Sequence, residues 1–191
     1  MVIILLLCIV PYNPELPVET EIEYTGGMIE TAIMVKDINS GGQSGQIDHL
    51  TAVGNTLYFS ADDGTDGSEL WKSDGTASGT VMVKDINSGG SYGLSIDSDF
   101  TPVGNDLYFR ASDGVNGWEL WKSDGTANGT VMVKDINPSG MSSSIDKLTA
   151  MGNALYFEAS DGPNGAELWR TIEYPEDAAS ADLEASLSIG N

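Results

Sequence analysis

The sequence has very little of the two side chains on which many catalytic and metal sites depend. Its 191 residues include one cysteine, Cys8, and one histidine, His49. A single cysteine excludes a disulfide framework and a cysteine metal site. One histidine removes most mechanisms in which a neighbouring imidazole activates a nucleophile. His49 falls at the start of a predicted strand, and we interpret it as a surface residue.

Basic residues are also scarce. The chain has 8 lysines and arginines against 29 aspartates and glutamates, which gives a formal net charge of −21 and a pI of about 4.1. Such a chain repels nucleic acid phosphates and anionic lipid headgroups, so neither is an expected partner. The acidity fits either a protein that binds divalent cations or cationic partners, or a solubilising surface for an extracellular setting. We favour the second interpretation.

Long apolar runs are absent outside the N-terminus, so the sequence predicts no membrane span. Residues 1–10 are apolar, but they are too few to cross a bilayer as a helix. They match the apolar core of a secretory signal without its basic start or its small-residue cleavage site, and the alternative is a buried β-strand. We assign residues 1–20 to this segment and its linker, and residues 175–191 to an acidic tail that we expect to fray.

What the sequence does contain is an internal repeat, defined by three short motifs. Successive copies of the first motif are 48 and 50 residues apart. The matches are many and collinear, which excludes chance. The motifs are Val-Lys-Asp-Ile-Asn at 35–39, 83–87 and 133–137, Leu-Tyr-Phe at 57–59, 107–109 and 155–157, and Glu-Leu-Trp at 69–71, 119–121 and 167–169.

Each copy divides into four short strands separated by turn residues. Gly54-Asn55 is a two-residue hairpin signal, and Asp63-Gly64 supplies a turn that suits positive φ. Apolar residues alternate on both faces of the strands, so we expect both faces to be covered, as in stacked sheets. The sequence therefore predicts an all-β fold for residues 21–174, with about three propeller-like, four-stranded antiparallel blades.

The copies at the two ends are incomplete. Residues 21–38 supply only the third and fourth strands of a unit, and residues 146–172 supply only the first three. We therefore expect strand 32–38 either to complete the C-terminal sheet, as a shared closing blade, or to leave both sheet edges open. Three blades are fewer than the four to eight of typical propellers. An open stack, a half-ring that dimerises and a fragment of a longer repeat array all remain as interpretations.

Residues 69–76 and 119–126 both read Glu-Leu-Trp-Lys-Ser-Asp-Gly-Thr. With the flanking motifs, this stretch resembles the signature of the bacterial ELWxxDGT repeat family, over about residues 21–170. The resemblance implies a multi-repeat, propeller-like protein that is secreted or displayed on the cell surface, in a family without an assigned activity. The chain departs from the signature at both ends, where Tyr24-Thr25-Gly26-Gly27 and Arg170-Thr171-Ile172-Glu173 replace the Asp-Gly-Thr.

The turns between the second and third strands concentrate oxygen side chains. Asp63, Asp66 and Glu69 occupy relative positions 1, 4 and 7 of the first turn, and asparagine replaces the middle aspartate in the other copies. Calcium takes six to eight oxygen ligands, including carbonyls of turns, so these three residues are the candidate metal site. The spacing does not match an EF-hand. The alternative, which we favour, is that these side chains only satisfy the turn backbone.

Aromatic residues provide the candidate contact surface. The tryptophan of every Glu-Leu-Trp motif is typical of core between sheets, although exposed rings there would form a sugar-stacking platform. Trp118 stands where the other copies have serine or alanine, and Tyr92 lies on the long loop between units. We interpret both as ligand-contact residues. His49 and Arg110 also break the repeat, without an evident mechanism.

No catalytic motif stands out, because each acidic pair recurs with its turn, whereas a glycosidase needs two carboxylates facing one cleft. We therefore predict a non-enzymatic extracellular or cell-surface module with a binding or structural role. Calcium is the candidate cofactor, and a carbohydrate or another protein is the candidate ligand. We expect a homo-oligomer or a part of a longer array. The alternatives are a carbohydrate-acting propeller enzyme and a calcium-stabilised adhesin fragment.

Overall fold

The computed structural model describes residues 31–172, of which residues 34–172 belong to one compact unit. The apolar segment at 1–20, the incomplete first copy up to residue 30 and the acidic tail at 175–191 lie outside the described residues. The described part consists of strands, turns and loops, without a helix. The all-β prediction is therefore confirmed for this part of the chain.

Eleven strands form three antiparallel sheets, and within each sheet the strands are neighbours in chain order. The first two sheets have four strands each, and the third has three. The first contains β1 (Asp48–Val53), β2 (Thr56–Asp62), β3 (Ser68–Ser73) and β4 (Val81–Lys84), the second contains β5 (Thr101–Val103), β6 (Asp106–Ser112), β7 (Trp118–Ser123) and β8 (Val131–Lys134), and the third contains β9 (Asp146–Met151), β10 (Ala154–Ser160) and β11 (Ala166–Arg170).

The turn residues form the hairpins that the sequence predicts. Val53 pairs with Thr56 across Gly54-Asn55. Gly54 has a φ of 58°, in the left-handed region that glycine enters without a Cβ clash. The second and third sheets have the same two-residue hairpin at their own first turns. Local turn chemistry therefore sets the register with which each sheet begins.

The apolar core lies between successive sheets, because the first and second sheets bury side chains on both of their faces and the third sheet buries those that face the second. Leu70 on β3 is fully buried in one cluster with Leu107, Phe109 and Trp121 of the second sheet. Its neighbour Trp71 belongs to a separate cluster on the other face of the first sheet. Burying one large apolar side chain is worth about 1.5–3 kcal/mol, so each sheet is stabilised mainly by the sheets beside it.

The same contacts join each sheet to the next. Lys84, at the end of β4, places its ammonium 5.7 Å from the ring centroid of Trp121 in the second sheet and donates to the carbonyl of Thr130 at 2.7 Å. Lys134 repeats the ring contact with Trp169 of the third sheet, also at 5.7 Å. In these two copies the backbone of the motif lysine lies in a strand of one sheet, and its side chain contacts the following sheet.

The asparagine of the same motif reinforces this contact between successive sheets, which we call a joint. Asn87 donates to the carbonyl of Tyr92 at 3.2 Å, which closes the linker into a compact loop. Its side chain also lies against Gly114 of the second sheet, where a Cβ would come 2.6 Å from Asn87 Oδ1. Gly114 has a φ of 78°, so both the close approach and the conformation require glycine. Asn39 and Asn137 make equivalent contacts on the first and third sheets.

Residues 31–37 form no regular strand, and among residues 31–172 no strand pairs with the outer edge of β11, so of the two predicted arrangements the described chain has the one with open sheet edges. Lys36 instead lies 5.7 Å from the ring centroid of Trp71 and donates to the carbonyl of Thr80 at 2.6 Å. Ile38 packs against the same cluster of the first sheet. The motif therefore covers the sheet that follows it in the sequence, as its other copies do, and within the described residues the third sheet keeps three strands.

Replacing Lys84 with methionine should destabilise the protein by about 1–2 kcal/mol, because the Thr130 carbonyl loses a charged donor and the Trp121 ring loses its cation. Urea denaturation measures this change in the free energy of unfolding. Lys134→Met is the matched control, since Lys134 contacts a ring but donates to no carbonyl among residues 31–172. Its loss should cost less than about 1 kcal/mol. Equal losses for the two variants would contradict a role for the Lys84 hydrogen bond.

Candidate functional site

The structure brings the two predicted contact residues, Trp118 and Tyr92, into one depression between the first and second sheets. The depression has a volume of about 480 Å³. His49 also lines it, so three of the residues that break the repeat meet at one place. The rest of the wall is formed by polar side chains of the first sheet and of the segment before it, and by apolar side chains of the linker. These residues include Gln46, Asp48, Ser60, Ser68 and Leu94.

Two elements hold the two aromatic rings. Trp118 begins β7, and its backbone is fixed by the next linker, because its N–H donates to Ser142 Oγ and its carbonyl accepts the N–H of Ser143, both at 3.1 Å. Tyr92 lies on the linker between the first two sheets and is 56% exposed. The depression therefore places a half-buried ring on a strand beside a more exposed ring on a loop.

His49 bridges the first sheet and the linker. Its ring Nε2 lies 3.1 Å from the carbonyl oxygen of Ile96, and its Nδ1 lies 3.2 Å from Ser60 Oγ. These partners assign the proton to Nε2, because a carbonyl only accepts. The ring also stacks on Phe100, with 5.1 Å between the ring centroids. The residue interpreted from the sequence as a surface histidine is therefore a half-buried contact between two elements.

Arg110, the fourth residue that breaks the repeat, lies beside the depression. Its guanidinium carbon is 5.0 Å from the ring centroid of Trp118, and its Nη1 is 3.9 Å from Asp97 Oδ2. Arg110 pairs with Leu120 across β6 and β7, which makes Trp118 its diagonal neighbour on the same face of the sheet. The guanidinium packs on the indole and helps to hold the ring in place.

Elsewhere in residues 31–172 the contacts between successive sheets lack this chemistry. The position of Trp118 holds serine in the first sheet and alanine in the third, and the position of Tyr92 holds serine in the other two linkers. His49 corresponds to Lys147, which forms an ion pair with Glu158. The sheets are joined by other residues in every copy, so the aromatic pair is not required for the fold of the joint.

The predicted metal residues are not gathered around one point. Asp63 accepts the N–H groups of Thr65 at 2.8 Å and of Asp66 at 3.1 Å, and so caps its own turn. Desolvation, and then the charges of Asp63 and Asp85, raise the pKa of Asp66. Glu69 binds the linker backbone instead. Among residues 31–172, no group of three or more His, Cys, Asp or Glu side chains is arranged to hold a metal ion.

Glu69 is a buried anchor that sequence reasoning missed. It is fully buried, and its carboxylate accepts the N–H groups of Ile86 at 2.8 Å and of Gly93 at 2.9 Å. Burial raises the pKa of Glu69 to about 7, although the backbone donors lower it. Glu119 makes the same contacts with the next linker, and burial raises its pKa as well. The sequence did contain a signal for this role, because a glutamate recurs in every copy beside the apolar leucine and tryptophan of the third strand.

No family model, curated protein or solved structure matches the chain, so the resemblance to the ELWxxDGT repeat family stays a prediction from its motifs. In the described part of the chain, no helix has the length and apolar character that a membrane crossing requires. The candidate site therefore rests on the geometry and chemistry of the residues themselves.

The protein should lose stability as the pH rises from about 4.5 to about 7. The pKa of Glu69 is raised from 4.5 to about 7 in the folded protein, so the folded state binds this proton more tightly than the unfolded state does. The resulting stabilisation is fully present below the unfolded pKa and is lost as the pH rises through the folded pKa. A shift of this size corresponds to roughly 3 kcal/mol. Thermal melting at fixed ionic strength over this pH range measures the loss.

Glu69→Gln should make this pH profile less steep, because an amide does not titrate in the range, while Glu119, whose pKa burial also raises, keeps its own contribution. The variant should also be less stable by about 1–3 kcal/mol at the acidic end, since a linker N–H loses its acceptor. Asp99→Asn removes an exposed carboxylate and serves as the control that keeps the parent profile. A Glu69→Gln profile with the parent's slope would assign the pH dependence to other carboxylates.

Proposed function

We propose that this chain is a non-enzymatic module of a propeller-like repeat protein, extracellular or on the cell surface, that binds carbohydrate in the depression between its first two sheets. The observation that carries the proposal is the meeting of Trp118, Tyr92 and His49 in that depression. Residues that the fold of each sheet requires are the same in every copy of the repeat. Residues that differ at one joint and lie together there are therefore best explained by a ligand.

The chemistry of the depression favours a neutral sugar. The rings of Trp118 and Tyr92 offer flat apolar faces for the apolar face of a pyranose. The hydroxyl groups of Ser60 and Ser68 lie in the same wall and offer hydrogen bonds to sugar hydroxyls. The net charge of −21 and the carboxylate of Asp48 in the wall disfavour an anionic ligand.

Binding without catalysis is supported by the composition of the wall. Asp48 is the only carboxylate among the described residues that line the depression. Its Oδ1 already accepts the backbone N–H of His49 at 2.8 Å. Glycoside hydrolysis uses two carboxyl groups about 5–9.5 Å apart on either side of the scissile bond. Both ring nitrogens of His49 are engaged by Ser60 and Ile96, so the imidazole is not free to transfer a proton to a ligand.

An extracellular or surface location is supported by the sequence. The strong acidity keeps a module soluble in a salty medium, and the motifs resemble those of secreted and surface repeat proteins. Tandem sheets also suit a display role, because each added sheet extends the array without a new type of contact.

A glycan array probed with the whole chain should identify neutral glycans that bind. Trp118→Ala should weaken the tightest of them at least about tenfold, which corresponds to about 1.4 kcal/mol, because it removes the more rigid stacking face. Tyr92→Ala should weaken the same glycan. Isothermal titration calorimetry measures the Kd of each variant.

Val115→Ala is the control for these substitutions, since Val115 is 74% exposed in the turn before β7 and does not line the depression. The melting temperature of each variant separates loss of the site from loss of the fold. Glycan binding that survives both aromatic substitutions would contradict the proposed site. Glycan turnover by the purified chain would contradict the non-enzymatic role.

A further inference from the structure

The outer face of the third sheet is bare, although the same face is covered in the other two sheets. Leu168 on β11 is 77% exposed, whereas the equivalent Leu70 and Leu120 are fully buried. Met151 on β9 is 62% exposed, whereas Val53 at the same position of the first sheet is 9% exposed. In the internal joints this face is covered by the following sheet and its linker.

The edge of the third sheet is free as well. In the first sheet, β4 pairs with β3, with Lys84 opposite Leu70, whereas β11 has no such partner among residues 31–172. Glu167 is exposed, while Glu69 at its position is buried and accepts linker N–H groups. The third sheet therefore carries one half of a joint. This half consists of an apolar face, a strand edge and a glutamate that accepts no linker N–H group among residues 31–172.

The opposite end of the molecule carries the other half. Lys36 and Ile38 contact the first sheet as their equivalents contact the second and third sheets, yet their segment pairs with no strand of the described chain. Met34 is 79% exposed and Val35 is 41% exposed. Leu50 on β1 is 64% exposed at the same end. This end presents a Val-Lys-Asp-Ile-Asn segment that lacks the sheet to which the motif belongs elsewhere.

We propose that a second copy of this chain docks head to tail, so that residues 34–39 of one copy complete the third sheet of another. The internal joints give the register. Lys36 of the incoming copy stands opposite Leu168, as Lys84 stands opposite Leu70 in the first sheet. The incoming segment restores the missing fourth strand, and the first sheet behind it covers the bare face of the third.

We assign the docking partner as a second copy of this chain, because the same kind of segment already pairs with the same kind of strand twice within one copy. The incoming segment has the same Val-Lys-Asp-Ile-Asn sequence as the segments that pair with the Glu-Leu-Trp strands of the first and second sheets, and β11 has the same Glu-Leu-Trp. The motif copy upstream in the same chain, Glu21-Ile22-Glu23, lies outside the described residues and has neither the leucine nor the tryptophan. Completion of the sheet within one chain is an outcome that the tests below distinguish.

The described part of each copy has one surface of each kind, so the contact is heterologous and builds either a closed ring or an open chain of copies. Two copies with three sheets each bring six sheets together, which lies within the four to eight of closed propellers. Both forms leave no more than one pair of free ends.

Sedimentation velocity of the whole chain should detect assemblies of at least twice the monomer mass of 20.2 kDa. Assembly should increase with protein concentration and with sodium chloride, because each copy carries a charge of −21 and salt screens the repulsion. Leu168→Asp should return the protein to monomer mass, whereas Val115→Asp, at a similarly exposed site away from both ends, should not. A chain that is monomeric at every concentration and salt, or a Leu168→Asp variant that assembles like the parent, overturns the proposal.

Cysteine cross-linking tests the register directly. In a Cys8→Ser background, one protein carries Ile33→Cys and another carries Arg170→Cys, because Val81 stands opposite Lys72 at these positions of the first sheet. Facing residues of antiparallel strands are about 4.5–5.5 Å apart between Cα atoms, within the reach of a disulfide. Oxidised glutathione should give a covalent dimer from the mixture faster than from either variant alone.

The same two substitutions in one chain distinguish the competing arrangement. An intramolecular disulfide without a covalent dimer would show that the sheet is completed within one chain, and that result overturns the proposal. Equal rates for the mixture and for the single variants would do so as well. Glycan binding at the first joint does not enter either readout, so failure here leaves the proposed function untouched.

Discussion

The interaction on which the rest of the structure depends is the buried carboxylate at the start of each Glu-Leu-Trp motif. A sheet with two apolar faces needs a neighbour on each side, and the linker must deliver that neighbour to a fixed place. Glu69 does so by accepting the N–H groups of Ile86 and Gly93, which lie on either side of the linker loop. Desolvation of a carboxylate costs several kcal/mol, and the backbone donors offset that cost only when the linker is in place. The sheet and its linker are therefore ordered together.

This anchor also explains why the candidate site lies where it does. Tyr92 directly precedes Gly93, whose N–H the buried carboxylate of Glu69 accepts, and Trp118 directly precedes Glu119, which is itself a buried carboxylate. The backbone at both positions is fixed by contacts that do not involve the rings. Side chains there can change from copy to copy without loosening the joint, and that freedom allows one joint of three copies to acquire an aromatic depression.

Local features of the fold could be predicted from the sequence, and contacts across the linkers could not. The Gly54-Asn55 hairpin follows from residues adjacent in the chain, and its register was confirmed. The role of Glu69 depends on N–H groups 17 and 24 residues away, which no turn or alternation pattern specifies. The sequence left two arrangements open for strand 32–38, because identical motif copies match every sheet equally well. Trp118 and Tyr92 were found because they break the repeat, but their meeting with His49 needed the sheet stacking.

A joint formed between two copies would differ from the joint that holds the candidate site. The incoming linker would bring Ser44 to the position that Tyr92 occupies, and the incoming sheet would bring Ser68 to the position of Trp118. Lys147 would stand in place of His49. Such a joint would have the buried glutamate, the lysine and the asparagine that hold sheets together, but no aromatic pair. Assembly and ligand binding would then use different joints of the same design, with one aromatic depression for every three sheets.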